Sequence, residues 1–142
     1  MIEQQEIATA RVGDRREFSV PDVNRTHFVR YAGAGGDFNP IHHDQNFAEG
    51  AGLPTVFGMG MFTAGVLARV PSQWFGPQNV ARFAVRFTSR LWPGDTLTCR
   101  GTIARVYDVD GVTHTDIILE ALNQKGEILI EGEATVRPWQ PS

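Results

Sequence analysis

Near residue 80 the spacing of apolar residues changes from one that suits a helix to one that suits strands. Before that point the run MFTAGVLARV, residues 61–70, is apolar almost all the way round a helix, and Pro71 is expected to end it. A helix with no polar face has to be buried. After that point Phe83, Val85 and Phe87 alternate with Arg82, Ala84, Arg86 and Thr88, and Trp92-Pro93-Gly94-Asp95 makes a turn. Residues 96–108 and 112–122 flank Asp110-Gly111, a hairpin signal, and 127–137 alternates Ile128, Ile130, Gly132, Ala134 and Val136 with Glu127, Glu131, Glu133 and Arg137. Four strands at hairpin spacing predict an antiparallel sheet, and its apolar face and the apolar helix need the same cover. The expected fold class is α+β, an antiparallel β-sheet wrapped around a central buried helix.

The first half reads as short helices joined by loops. From Asn24 to Ala34, Phe28, Val29, Tyr31 and Ala32 are expected on one helical face, with Asn24 as N-cap and glycines 33, 35 and 36 ending the helix. Asp44 is expected to cap the short turn DQNFAEG. At 142 residues, without repeat or linker, the chain is read as one domain over 1–142. Lys and Arg number 13 against 16 Asp and Glu, a net charge of −3, so no basic field exists to follow a nucleic acid. No stretch approaches 18 uncharged apolar residues and Met1–Ala10 lacks the apolar centre of a signal peptide, so no membrane partner is expected. Cys99 is the single cysteine, which excludes an internal disulfide and a multi-cysteine zinc site and points to a reducing, cytoplasmic setting.

Two glycine-rich stretches carry the polar chemistry. The first, YAGAGGDFNPIHH over 31–43, sets Asp37 and His42 five apart in a loop. Spacing alone favours a plain role for Asp37 or Asn39, capping local amides as Asx residues do in loops. The second, Phe57-Gly58-Met59-Gly60-Met61, runs directly into the apolar helix, placing the amide of Gly60 or Met61 at its N-terminus. Free N–H groups and the positive end of the helix dipole point there. Donors of this kind stabilise a carbonyl oxygen that gains negative charge, and losing one typically costs about 2.7–4 kcal/mol of barrier. The plain alternative is that these glycines serve close packing.

Tyr31, the run Gly35-Gly36-Asp37-x-Asn39-Pro40-Ile41-His42 and Ala48 resemble the signature of the hydratase-2 branch of the MaoC-like hydratases and dehydratases, which have the hot-dog fold. The resemblance continues through GMGMFTAG at 58–65 and VRFTSRLWPGD at 85–95, covering roughly residues 10–137. It implies a single hot-dog domain, with Asp37 and His42 as the catalytic pair and the backbone amide of Gly60 as oxyanion donor. The activity implied is reversible syn addition of water to a trans-2-enoyl thioester, giving a (3R)-3-hydroxyacyl thioester on CoA or acyl carrier protein. In that scheme His42 takes a proton, Asp37 orients the water and returns one, and Asn39 holds the loop. No metal or other cofactor is called for, and His27, His43 and His114 are too dispersed for a metal site. One position departs: the family often has His-Gly-Met where this chain has Met59, which bears on the shape and polarity of the acyl pocket.

His43 is expected to point away from the site, His27 and His114 to be surface or cross-strand residues, and Cys99 to be a small buried thiol. Trp74 and Phe75 read as core. Two other functions stay open. A hot-dog thioesterase would place an acid on or beside the buried helix, and residues 61–70 have none. A non-catalytic acyl-binding or partner subunit of a heteromeric hydratase is the other. One sheet around one helix leaves an exposed edge, so a homodimer or higher assembly is expected, or a heteromer with another hot-dog subunit. Arg86 and Arg90 are candidates to meet CoA phosphates.

Overall fold

The computed structural model describes residues 1–141. Its centre is one antiparallel sheet of five strands, β1 (Arg15–Val23), β2 (Val80–Phe87), β3 (Asp95–Val109), β4 (Val112–Leu122) and β5 (Ile128–Val136), in the spatial order β1-β3-β4-β5-β2. Helices α1 (Arg25–Gly35) and α2 (Gln45–Gly50) precede the long helix α3 (Gly60–Phe75), which touches every strand of the sheet. The expected wrap of sheet around helix is what the chain forms.

Each strand offers one face to α3. Leu97, Cys99, Ile103, Ile117, Leu119, Ala121, Ile130, Ala134 and Val136 are at most 1% exposed and meet Leu67, Val70 and Trp74 of α3 in a single core. Closest approach is at Gly101, where a Cβ would lie 2.7 Å from Val70 Cγ1 and 3.0 Å from Ile117 Cγ2, so only glycine fits beneath the helix. The other face is polar. Glu17, Arg100, Glu120, Glu131 and Arg86 stand in register across all five strands, with Arg100 paired to Glu120 at 2.6 Å and Arg86 paired to Glu131. The β3–β4 hairpin turns at Asp110-Gly111 with both residues at positive φ, 51° and 78°, the turn that this dipeptide favours.

Four expectations need correction. A fifth strand, β1, precedes the four expected, pairing with β3 from Arg15 opposite Thr102 onward. Its sequence RREFSVPDV is charged and contains Pro21, which an edge strand tolerates because one row of its backbone groups faces solvent. Next, Pro71 lies inside α3 rather than at its end. The missing N–H removes one helical bond, but the continued turn buries Trp74 and Phe75, 0% and 1% exposed and stacked at 4.9 Å, and Gly76 then ends the helix at φ 90°. Third, α3 is not covered on every side. Gly60, Met61, Gly65 and Arg69 follow one another down an exposed stripe, with Met61 60% exposed. In α1 the buried face is Phe28 and Ala32, while Val29, a quarter-turn away, is 59% exposed.

Candidate active site

The Asp37–His42 loop is built by its own caps. Asn24 starts α1 as expected, its side chain accepting from the Thr26 amide, and Gly36 ends it at φ 75°, leaving Asp37 as the first residue of the loop. Gly33 and Gly35 lie within the helix. Asp37 Oδ1 accepts from the Asn39 amide at 3.3 Å and Asn39 Oδ1 from the Ile41 amide at 3.1 Å, so Asn39 caps the 3₁₀ turn Pro40–His42. That turn swings the imidazole inward while the carboxylate stays at the surface. Asp44 then caps α2 by accepting from the Phe47 amide, and Ala48 is fully buried.

His42 is 8% exposed and its Nδ1 lies 2.7 Å from the carbonyl oxygen of Phe57. A carbonyl only accepts, so Nδ1 carries a proton and, in the neutral imidazole, Nε2 is the nitrogen left with its lone pair. Nε2 faces Asp37 Oδ2 at 3.8 Å, the Asp37 side chain being 45% exposed. That separation is too long for a direct hydrogen bond, and a single water about 2.8 Å from each atom fits it. The ring of Phe57 meets the imidazole edge-on at 5.0 Å. Asp37 and His42, separate in the sequence, therefore converge on one small volume with an acceptor on each side.

Gly60 is the first residue of α3. At that position its N–H, like that of Met61, has no carbonyl one turn earlier within the helix to bond, while Phe62 and Thr63 are already bonded to the Met59 carbonyl. A Cβ on Gly60 would lie 2.9 Å from the ring of Phe87, and one on Gly58 2.8 Å from the ring of Phe28, so both glycines serve close packing, and Gly60 also leaves the helix end bare. Met59 is 2% exposed and packed in the core.

The remaining expected positions are distributed as follows. His43 points away and bonds the Phe38 carbonyl at 3.3 Å. His27 closes the α1 cap by accepting from the Asn24 amide, and His114 stacks on Tyr107 at 5.5 Å. Burial pushes the Cys99 thiol up to about 12 against an ordinary 9.0, only partly offset by the positive charge of Arg69. Arg86 is engaged on the outer sheet face, whereas Arg90 lies over the ring of Phe57 at 5.2 Å. Among the described residues no three His, Cys, Asp or Glu side chains gather as a metal site, and no helix is long and apolar enough to cross a membrane. The sequence missed Phe57, because a backbone carbonyl acceptor leaves no mark in residue type.

A single five-stranded antiparallel sheet wrapped around one long helix defines a hot-dog domain. The family model described as MaoC like domain matches residues 7–123, and the chain belongs to that family. It is 46% identical over 59 residues, 41% of this chain, to the 3-hydroxyacyl-thioester dehydratase X of Mycobacterium tuberculosis, of which the match covers 20%. In structure it is similar to the R-hydratase PhaJ1 of Pseudomonas aeruginosa, with a TM-score of 0.82 and 22% identity over 95% of this chain and 86% of that one. A chain in the ChsH1-ChsH2 complex of Mycobacterium tuberculosis gives a TM-score of 0.78 and 22% identity over 91% and 98%. The chain spans about a fifth or less of the length of the first curated relatives it matches.

Proposed function

We propose that the chain is a hydro-lyase that adds water reversibly across the double bond of a trans-2-enoyl thioester, giving a (3R)-3-hydroxyacyl thioester on CoA or acyl carrier protein. The observation that carries this reading is the pair Asp37 Oδ2 and His42 Nε2, 3.8 Å apart, a separation that one water bonded to both can bridge. His42 Nε2, fixed as an acceptor by the bond from Nδ1 to Phe57, takes a proton from that water as its oxygen forms the bond to C3. A proton delivered from the same pair to C2 completes the addition, with Asp37 orienting the water throughout. As the C–O bond forms, charge moves to the thioester oxygen, where the Gly60 amide and the dipole of α3 stabilise it. Asn39 keeps Asp37 and His42 in register through its cap, and Met59 bounds the acyl pocket from the core side. The reaction uses only protein groups and the substrate water.

The same reading takes residues 1–142 as one hot-dog unit that pairs with a second one, either its own copy or a different hot-dog subunit, through the free edge of β2. It also places the protein in a reducing compartment such as the cytoplasm, where the lone buried Cys99 stays a thiol. No acidic residue occurs in α3, so a thioesterase with its acid on that helix is disfavoured.

The test is loss of enoyl absorbance with crotonyl-CoA and longer or branched trans-2-enoyl-CoAs, with the product's configuration determined. Asp37→Asn and His42→Gln are each expected to lower kcat about 10²–10⁴-fold while the thermal midpoint stays near that of the parent. Full activity in either variant, or release of free CoA thiol in place of hydration, overturns the assignment.

A further inference from the structure

We propose that Arg90 is a positioning residue for His42 that acts through the ring of Phe57. The inference rests on the hydratase reading for its kinetic consequence and on geometry alone for its structural one. His42 works as a base only in the tautomer that the Phe57 carbonyl selects, so whatever places Phe57 places the base. Phe57 lies between α2 and α3, in neither helix, and no ladder of helical bonds holds it. It is held instead by three consecutive residues of the β2–β3 connection. The amide next to it, that of Gly58, donates to the Leu91 carbonyl at 2.9 Å. On either side of Leu91, Arg90 sets its guanidinium carbon 5.2 Å from the centre of the Phe57 ring and Trp92 presents its own ring at 6.1 Å and 69°. Leu91 is 2% exposed, and Gly58 has no room to shift because even a Cβ there would strike Phe28. Residues 90–92 thus form a clamp on Phe57, which touches His42 twice, by its carbonyl at 2.7 Å and by its ring at 5.0 Å.

Distance separates this role from a contact to a carrier phosphate. Arg90 is 5.2 Å from the Phe57 ring centre, which is 5.0 Å from the imidazole centre, so the cation lies within about 10 Å of the reacting atoms. The pantetheine arm has thirteen bonds from sulfur to phosphorus and, at the roughly 1.2 Å per bond of an extended chain, spans about 16 Å. An extended arm is longer than that separation, so a phosphate held at Arg90 would require the arm to fold back. The face of Phe57 is within reach and takes a guanidinium well, being planar and weakly hydrated.

The experiment compares Arg90→Gln and Arg90→Lys with the parent on crotonyl-CoA and on the crotonyl thioester of N-acetylcysteamine, which has no phosphate. Arg90→Gln is expected to lower kcat about three- to fivefold on both substrates with KM nearly unchanged, and Arg90→Lys to recover part of the loss. The nitrogen-15 spectrum of the imidazoles, assigned with His42→Gln, reads the tautomer directly: Nδ1–H in the parent, a mixture in Arg90→Gln. An effect confined to KM on crotonyl-CoA makes Arg90 a phosphate contact and overturns the proposal, as does an unchanged tautomer. If the parent hydrates neither substrate, the hydratase reading fails by itself, and the imidazole spectrum still decides whether Arg90 positions His42.

Discussion

The two ends of α3 are built to opposite purposes. At its C-terminal end the chain's first residues form a strap: the Gln5 amide donates to the Trp74 carbonyl, the Trp74 indole N–H donates to Gln5 Oε1, both at 2.7 Å, and Ile2 and Ile7 are buried. Arg16 lies over the same indole at 5.2 Å. At its N-terminal end Gly60 leaves the first amides bare, and Met61 and Phe87 are each at least half exposed. Large side chains and satisfied polar groups collect where the helix has no chemistry to do. Where its amides face outward, side-chain volume is removed and apolar surface is left for a substrate or a second subunit to cover.

This contrast fails first if the closed end is not where stability resides. Trp74→Ala removes a fully buried indole and its bond to Gln5, and is expected to lower unfolding free energy by about 3–5 kcal/mol in urea titration while kcat per folded molecule is kept. A cost under about 1 kcal/mol would mean the strap simply collapses onto the gap. Cys99, buried on β3 and influenced by Arg69 of α3, gives a pH test of the same dry region. The unfolded thiol loses its proton near 9.0 and the folded one near 12, so between those values the folded state binds more protons. Stability is therefore full below about pH 9 and falls as pH rises towards 12, by at most about 4 kcal/mol over the interval. Urea titrations at pH 8 and pH 10 should show the decline in the parent and a shallower one in Cys99→Ala. Equal slopes would show that water reaches the thiol.

The same contrast explains what the sequence made legible. Alternation accompanies one-sided burial, so strands β2 to β5 were readable, down to the Asp110-Gly111 turn, and α3 was readable as an unbroken apolar run. β1 was not, because RREFSVPDV opens on three charged residues out of four and carries Pro21, which hide its alternation. Pro71 misled because tertiary burial of Trp74 and Phe75 outweighs one lost helical bond. Asp37 and His42 were visible as residue types in a glycine-rich loop. The Phe57 carbonyl and the clamp of Arg90 and Trp92 were not, since backbone acceptors and ring faces depend on placement alone.

At the open end the expected effects are smaller on stability and fall on rate. A Cβ in Gly60→Ala meets the Phe87 ring at 2.9 Å, but that ring is half exposed and free to swing aside. The methyl then occupies the approach to the amide, so kcat is expected to fall roughly tenfold or more while the thermal midpoint stays within about two degrees. A large loss of stability with normal turnover would place the glycine in packing alone.

The finest test concerns the start of α1, the helix that delivers Asp37. Asn24 caps it by accepting from the Thr26 amide at 3.1 Å, and its own amide donates to His27 Nδ1 at 3.1 Å. Asn24→Ala is expected to cost about 1 kcal/mol, read from the urea midpoint. His27→Gln should cost less than about 0.5 kcal/mol, because glutamine at the third helical position supplies the same reciprocal acceptor. Asp37 lies beyond the other end of α1, and Phe28 and Ala32 anchor the turns between, so fraying at Asn24 stops before it reaches the carboxylate. Turnover should therefore stay within about twofold in both variants. A tenfold fall would mean that α1 moves as one rigid body, and that the open end holds its acid through the whole helix rather than through the local caps of Asp37 and Asn39.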